Sequence, residues 1–116
     1  MKPIIIRSNL ITKLFSVFID VGAITLYPFI ILREDFDNEV TINHESIHIR
    51  QQEELWVALF YILYVWYWLV AKSQGKSNFD AYMAIPFEQE AYTKQYEFDY
   101  LDNRDRHSWR LFTSRD

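Results

Sequence analysis

Hydrophobic and polar positions change their spacing several times along the chain, and each change predicts an element. Ile4-Ile5-Ile6 reads as a short strand. Leu10, Leu14, Phe15, Phe18 and Ile19 then recur at helical spacing and predict a helix over 9–20. From Val21 to Leu32, β-branched and aromatic residues dominate and predict one or two strands, with Pro28 at an edge position or a bulge. Arg33 to Asn38 is a polar turn. Thr41 and Asn43 are both suited to cap the next helix, which runs toward Ala71. Unbroken over 41–72 it would be about 48 Å long. That is long for so small a chain, so a bend or break within 55–72 is expected. Lys72 to Asn78, with Gly75, reads as a loop, and Asp80 to Ala84 as one short turn. Pro86 opens the last clear helix, which continues to about Tyr100 with Glu88 and Glu90 at its positive end. The tail from Asp102 to Asp116 alternates charge and aromatics, and no element is assigned to it.

Leu55 to Ala71 changes this picture most. These 17 residues carry no charge, and seven are aromatic (Trp56, Phe60, Tyr61, Tyr64, Trp66, Tyr67, Trp68). The length is at the short edge of the roughly 17–25 residues that span a bilayer. Trp and Tyr in mid-run, however, favour an interface or a buried hydrogen-bond partner. The run therefore predicts a buried core helix, one that could also lie against a membrane, ahead of a true span.

Composition narrows the class. The 116 residues suit a single domain, 1–116, with one modest core. Half the residues are hydrophobic, against only 2 Gly and 3 Pro, which argues against disorder and against a many-stranded sandwich. The expected class is α+β, mainly helical, with a small antiparallel β-ribbon or sheet. A net charge of −4 without a Lys/Arg block gives no nucleic-acid surface. The absence of cysteine excludes disulfides, thiolate metal sites and cysteine nucleophiles. Arg7, Lys13 and Asp20 interrupt the N-terminal apolar run, so no signal peptide is read there. The expectation is a cytoplasmic protein, with membrane association through 55–71 as its open question.

His44-Glu45-Ser46-Ile47-His48 carries the candidate chemistry. On a helix, H-E-x-x-H sets two imidazoles one turn apart on one face, where both can ligate one zinc ion. Glu45 then lies beside the open coordination position and can take a proton from zinc-bound water. The third ligand must come from elsewhere. On the helix opened by Pro86, Glu88 and Glu90 point about 200° apart, so at most one faces the metal. The face of Glu88 continues through Ala91, Tyr92, Gln95, Tyr96 and Asp99, and the small Ala91 allows close helix packing. Glu90 instead lies with Lys94 and Glu97 as an exposed i,i+4 pair. Glu88 is the selected ligand.

His44-Glu45-x-x-His48 followed by Glu88-x-x-Ala91 resembles the gluzincin zinc metallopeptidases, and the short chain resembles the minigluzincins. These are soluble minimal versions of the catalytic cores of integral-membrane peptidases. The resemblance covers residues 22–100. It implies an active-site helix and a glutamate helix, Zn2+ held by His44, His48 and Glu88, and Glu45 as general base. The implied activity is hydrolysis of a peptide or protein substrate. The strand around Ile24–Leu32 resembles the edge strand on which such enzymes lay an extended substrate. Where the family carries an aspartate that hydrogen-bonds a ligand histidine, this chain has Tyr92. Tyr92, Tyr96 and His107 are candidates for stabilising the oxyanion. Minimal forms can be latent, blocked by their own termini, and Ser114-Arg115-Asp116 is a candidate for that role here.

The alternative is a catalytically silent zinc-binding module, structural or regulatory, associated with a membrane. The plainer readings are a first-turn carboxylate for Glu88, a surface residue for His107 and a solvated charge run for Arg104-Asp105-Arg106.

Overall fold

The computed structural model describes residues 3–14 and 22–113. Three strands, β1 (Ile4–Arg7), β2 (Ala23–Leu26) and β3 (Phe29–Leu32), form a sheet in the order β1-β3-β2. β2 and β3 are antiparallel, with Thr25 opposite Ile30. β1 runs parallel to β3, with Ile5 opposite Ile30, so the sheet is mixed and not the antiparallel sheet expected. Pro28 is neither at an edge position nor in a bulge. It lies in the tight turn between β2 and β3, where its missing N–H costs no ladder bond. Ile30 and Leu32 of the central strand are fully buried.

Helix α1 (Asn9–Leu14) covers the first part of the predicted 9–20 helix, whose remainder lies outside the described residues. Helix α2 (Glu39–Glu54) begins earlier than either expected cap. Asn38 is extended, and its side chain accepts from the Thr41 amide at 2.9 Å. Asn43 caps a different helix: its amide donates to the carbonyls of Gln95 at 2.8 Å and Glu97 at 3.2 Å. Those bonds capture the carbonyls at the end of α5 (Pro86–Lys94), which stops short of the predicted Tyr100.

The long helix breaks at 55–57. Trp56 and Val57 both have positive φ, 58° and 59°, and Trp56 O accepts from Ala58 N at 2.5 Å, closing a γ-turn over Val57. Helix α3 (Ala58–Ser73) leaves at 113° to α2. The turn is needed because about 48 Å of continuous helix would overrun a molecule whose longest extent is 35 Å. α3 closes at Gly75, whose φ of 88° is the left-handed stop that glycine adopts freely. Helices α4 (Asn78–Met83) and α6 (Tyr100–Asn103) and 3-10 turns at Glu34–Phe36 and Ser108–Phe112 complete the described elements. It is an α+β domain, mostly helical, with a small mixed sheet.

Helix α2 lies between two apolar clusters. Ile49 packs with Ile30 and Leu32 on the sheet side, and Leu55 packs with Phe60, Ile85, Phe87 and Trp109 on the other. α3 is only half the core helix expected. Phe60 and Ala71 are buried, while Leu59, Ile62, Val65, Trp66 and Leu69 are exposed. In a chain this short, none of the described elements covers that outer face. Among the described residues no single helix is long and apolar enough to cross a membrane, although α2 and α3 together pass that test as a bent pair.

Candidate metal centre

The spacing of His44 and His48 on α2 does what a helical turn requires: the two rings lie edge to face with centroids 4.9 Å apart. His44, Glu45 and His48 form a buried cluster whose ligand atoms all lie within 4.8 Å of one another and could hold a metal ion. Helix α5 adds Glu88. Its Oε1 is 3.1 Å from His44 Nε2 and 3.0 Å from His48 Nε2, so both imidazoles aim at one carboxylate oxygen. Metal–ligand bonds of about 2.0–2.1 Å in a tetrahedron set ligands roughly 3.3 Å apart. The two separations measured from Glu88 Oε1 lie close to that value. Ala91, one turn on from Glu88, is fully buried. Glu45 stands further off, its Oε2 3.7 Å from His44 Nε2, and its Oε1 accepts from the Thr25 hydroxyl on β2. Of the two carboxylates, Glu88 lies nearer the imidazole nitrogen of His44.

Both imidazoles are held from behind. Gln51 Oε1 lies 2.8 Å from His48 Nδ1, and Gln95 Oε1 lies 2.8 Å from His44 Nδ1. Amide oxygens only accept, so each Nδ1 carries the proton and each Nε2 faces the shared carboxylate. Tyr92 does not serve as the hydrogen-bond partner of His44. Its ring packs edge-on at 4.4 Å and its hydroxyl pairs with Tyr82 at 2.9 Å, while Gln95, one turn further along the same face, takes the imidazole proton.

Two tyrosines complete the shell of Glu88. Tyr64 on α3 donates to Oε2 at 2.7 Å, and Tyr82 on α4 donates to Oε1 at 3.1 Å. Burial, with the Glu88 charge second, raises both phenols, so they remain donors at any ordinary pH. In the metal-free protein, burial alone would lower His48. The charge and hydrogen bond of Glu88 override it and lift His48 to about 9. Burial would likewise raise Glu88, but the His48 charge and the bonds from both histidines hold it well below the usual carboxylate range. The cluster could hold a metal ion, and a divalent metal there would replace protons.

Two sequence expectations are corrected around this centre, and two candidates share no hydrogen bond with it. Glu90 is not an exposed partner of Lys94. It is fully buried, receiving Tyr100 at 2.6 Å and Arg104 on Oε2 and Gln51 at 2.9 Å on Oε1. Arg104 is not solvated. Its side chain is 0% exposed and bridges Glu90 to Glu54, which it meets at 2.6 Å. Tyr96 is 70% exposed. Among the described residues it shares no hydrogen bond with the cluster, nor does His107, whose backbone N–H binds Glu54. Gln51, Gln95, Tyr64, Tyr82 and Thr25 were not singled out as site residues from sequence. The first two carried a signal, lying at helical spacings from His48 and Glu88. The proposed terminal blocker at 114–116 lies outside the described residues.

The sheet adds one contact. Gly22 O accepts from Arg33 N, so residues 22, 24 and 26 pair with β3 and Thr25 turns its carbonyl to the free edge of β2. The edge-strand expectation thus holds for β2 but not for β3, which is central. Thr25 O is already taken by the Tyr61 hydroxyl at 3.2 Å and the Gln52 amide at 3.4 Å.

Compared with protein-family models, with curated proteins and with solved structures, the chain finds no match in any of the three.

Proposed function

We propose that the chain is a zinc-dependent peptidase of gluzincin type, described here in a closed state. The observation that carries this reading is the convergence of His44 Nε2 and His48 Nε2 on Glu88 Oε1, with the Glu45 carboxylate alongside. Two imidazoles and a carboxylate from two crossing helices are a donor set suited to zinc. Zinc held there would supply a Lewis acid able to polarise a peptide carbonyl and acidify water. Thr25 holds one oxygen of Glu45 and leaves the other toward the histidines, where it can take the proton of that water and return it to the leaving amine. The outward carbonyl of Thr25 would pair with an extended substrate laid along β2. Metal analysis tests the base of this reading. Wild type should hold one zinc, and His44→Ala or Glu88→Ala should lose it. Zinc that survives both changes would sink it. Peptide cleavage tests the chemistry: Glu45→Ala should keep zinc and lose activity.

The second reading, a silent zinc-binding module, is favoured by closure. His44, Glu45, His48 and Glu88 are each only 4–6% exposed. Tyr61 and Gln52 occupy the β2 carbonyl that a substrate would need, and Tyr64 covers Glu88. If the closed state is latency, Tyr61→Phe with Tyr64→Phe should raise peptide cleavage. If zinc is bound and both forms stay inert, the silent module is correct. We also propose that the outer face of α3 seats the protein on a membrane surface, because Leu59, Ile62, Val65, Trp66 and Leu69 are exposed on it, with Lys72 the one charge in the helix, in its last turn.

A further inference from the structure

A chain of buried polar groups runs from His48 to the C-terminal segment. Gln51 Nε2 donates to Phe87 O at 3.2 Å and to Glu90 Oε1 at 2.9 Å. Both partners only accept, so the amide has one permitted orientation, with Oε1 on the His48 Nδ1 proton. Glu90 is fixed in turn by Arg104, which binds both its oxygens and reaches Glu54 with its third nitrogen. Gln51, Glu90 and the Arg104 side chain are all fully buried.

Stability alone gives a weak account of this arrangement. Burying an arginine between two carboxylates is costly to desolvate, and apolar residues of similar volume often do as well. Two carboxylates, Glu54 and Glu90, share the one guanidinium, and the Glu90 carboxylate lies 2.9 Å from Gln51 Nε2. It polarises that amide and makes Oε1 a stronger acceptor for the His48 proton. Metal-bound histidines commonly gain orientation and basicity from a carboxylate bonded directly to the rear nitrogen. Here the carboxylate is one amide further away.

We propose that Glu90, held by Arg104 and acting through Gln51, is a positioning residue that orients His48 and raises its strength as a metal ligand. The segment around α6 thereby becomes part of the metal centre. This rests on the zinc reading above for its purpose, though not for its geometry.

The test is a double-mutant cycle on Gln51→Met and Glu90→Gln, reading zinc affinity by competition with a chromophoric chelator, with circular dichroism to confirm folding. Each single change should weaken zinc by roughly 10- to 100-fold. Glu90→Gln should add little in the Gln51→Met background, because its route to the metal is already cut. If Glu90→Gln fails to fold, Arg104→Lys, which keeps the charge but loses the fork, takes its place. A folded Gln51→Met protein that binds zinc within about twofold of wild type would overturn the proposal, as would losses that multiply. A readout without metal keeps the two readings apart. Nitrogen NMR of the metal-free protein should show the His48 Nδ1 proton in wild type and its loss or exchange in Gln51→Met, with His44 unchanged. If wild type takes up no zinc the functional reading fails, and the His48 signal alone decides the relay: loss supports it, persistence overturns it.

Discussion

Glu88 and Glu90 stand two positions apart on one helix, and both are buried, on different sides of it. Glu88 meets the histidines of α2, and Glu90 meets Arg104 from the segment that follows. Burial would raise the Glu90 carboxyl, but bonds from Arg104, Tyr100 and Gln51 hold it below its ordinary value of 4.5. A carboxyl depressed on folding contributes stability above its unfolded pKa and loses it as the pH falls through the folded one. Wild type should therefore lose urea resistance from about pH 4.5 downward, and Glu90→Gln should show a shallower fall, with other carboxylates supplying what remains. At pH 7, Glu90→Gln leaves Arg104 paired with Glu54, whereas Arg104→Met strands both carboxylates and should cost about 3–5 kcal/mol by denaturant unfolding. A cost under about 1 kcal/mol would mean the triad is not buried in solution. This residue shows the reach of sequence reasoning. His44, His48 and Glu88 were legible because helical spacing and a Pro86 start are local signals. Glu90 pairs with a residue 14 positions away, and Arg104 sits beside exposed Asp105 and Arg106, so nothing local separated it from a solvated run.

At the scale of elements, the informative place is the turn between α2 and α3. Length alone implied a break within 55–72, but not where. The residues at the break are a tryptophan and a β-branched valine, neither of which marks a left-handed turn in sequence. What places the break there is packing: Leu55 enters the core with Phe60 and Phe87, and the chain must reverse for α3 to bring Phe60, Tyr61 and Tyr64 back over the site. The same logic cut α5 short, because Asn43 reached across from α2 to its last carbonyls. Trp56 is 85% exposed, so little packing offsets its left-handed strain. Trp56→Gly should raise stability by about 0.5–1 kcal/mol in thermal unfolding, the strain relieved outweighing glycine's greater unfolded freedom. A loss of similar size would show that the side chain is held by something at the surface.

For the whole molecule, α3 is the element with two different faces. Its inner face closes the site, through Tyr61 on Thr25 and Tyr64 on Glu88. Its outer face presents Leu59, Ile62, Val65, Trp66 and Leu69, with Trp56 at one end and Lys72 at the other. At 16 residues it is about 24 Å long, shorter than the ~30 Å hydrocarbon core, so it cannot span a bilayer alone but can lie in the interface, where Trp is favoured. Single exposed apolar residues are ordinary, whereas a contiguous row on a small domain marks a contact surface. Leu59→Lys, Ile62→Lys and Trp66→Lys together remove that row without touching the inner face. Each should change stability by no more than about 0.5 kcal/mol and leave zinc content unchanged. Wild type should co-sediment with phosphatidylcholine vesicles, and the triple variant should not. If wild type stays in the supernatant yet runs as a dimer that the triple variant dissolves, a second copy covers the face and the membrane assignment is wrong. On the peptidase reading, a bilayer that draws α3 outward would break the bonds of Tyr61 and Tyr64 that close the site, so vesicles should then raise peptide cleavage by wild type and leave the triple variant unaffected.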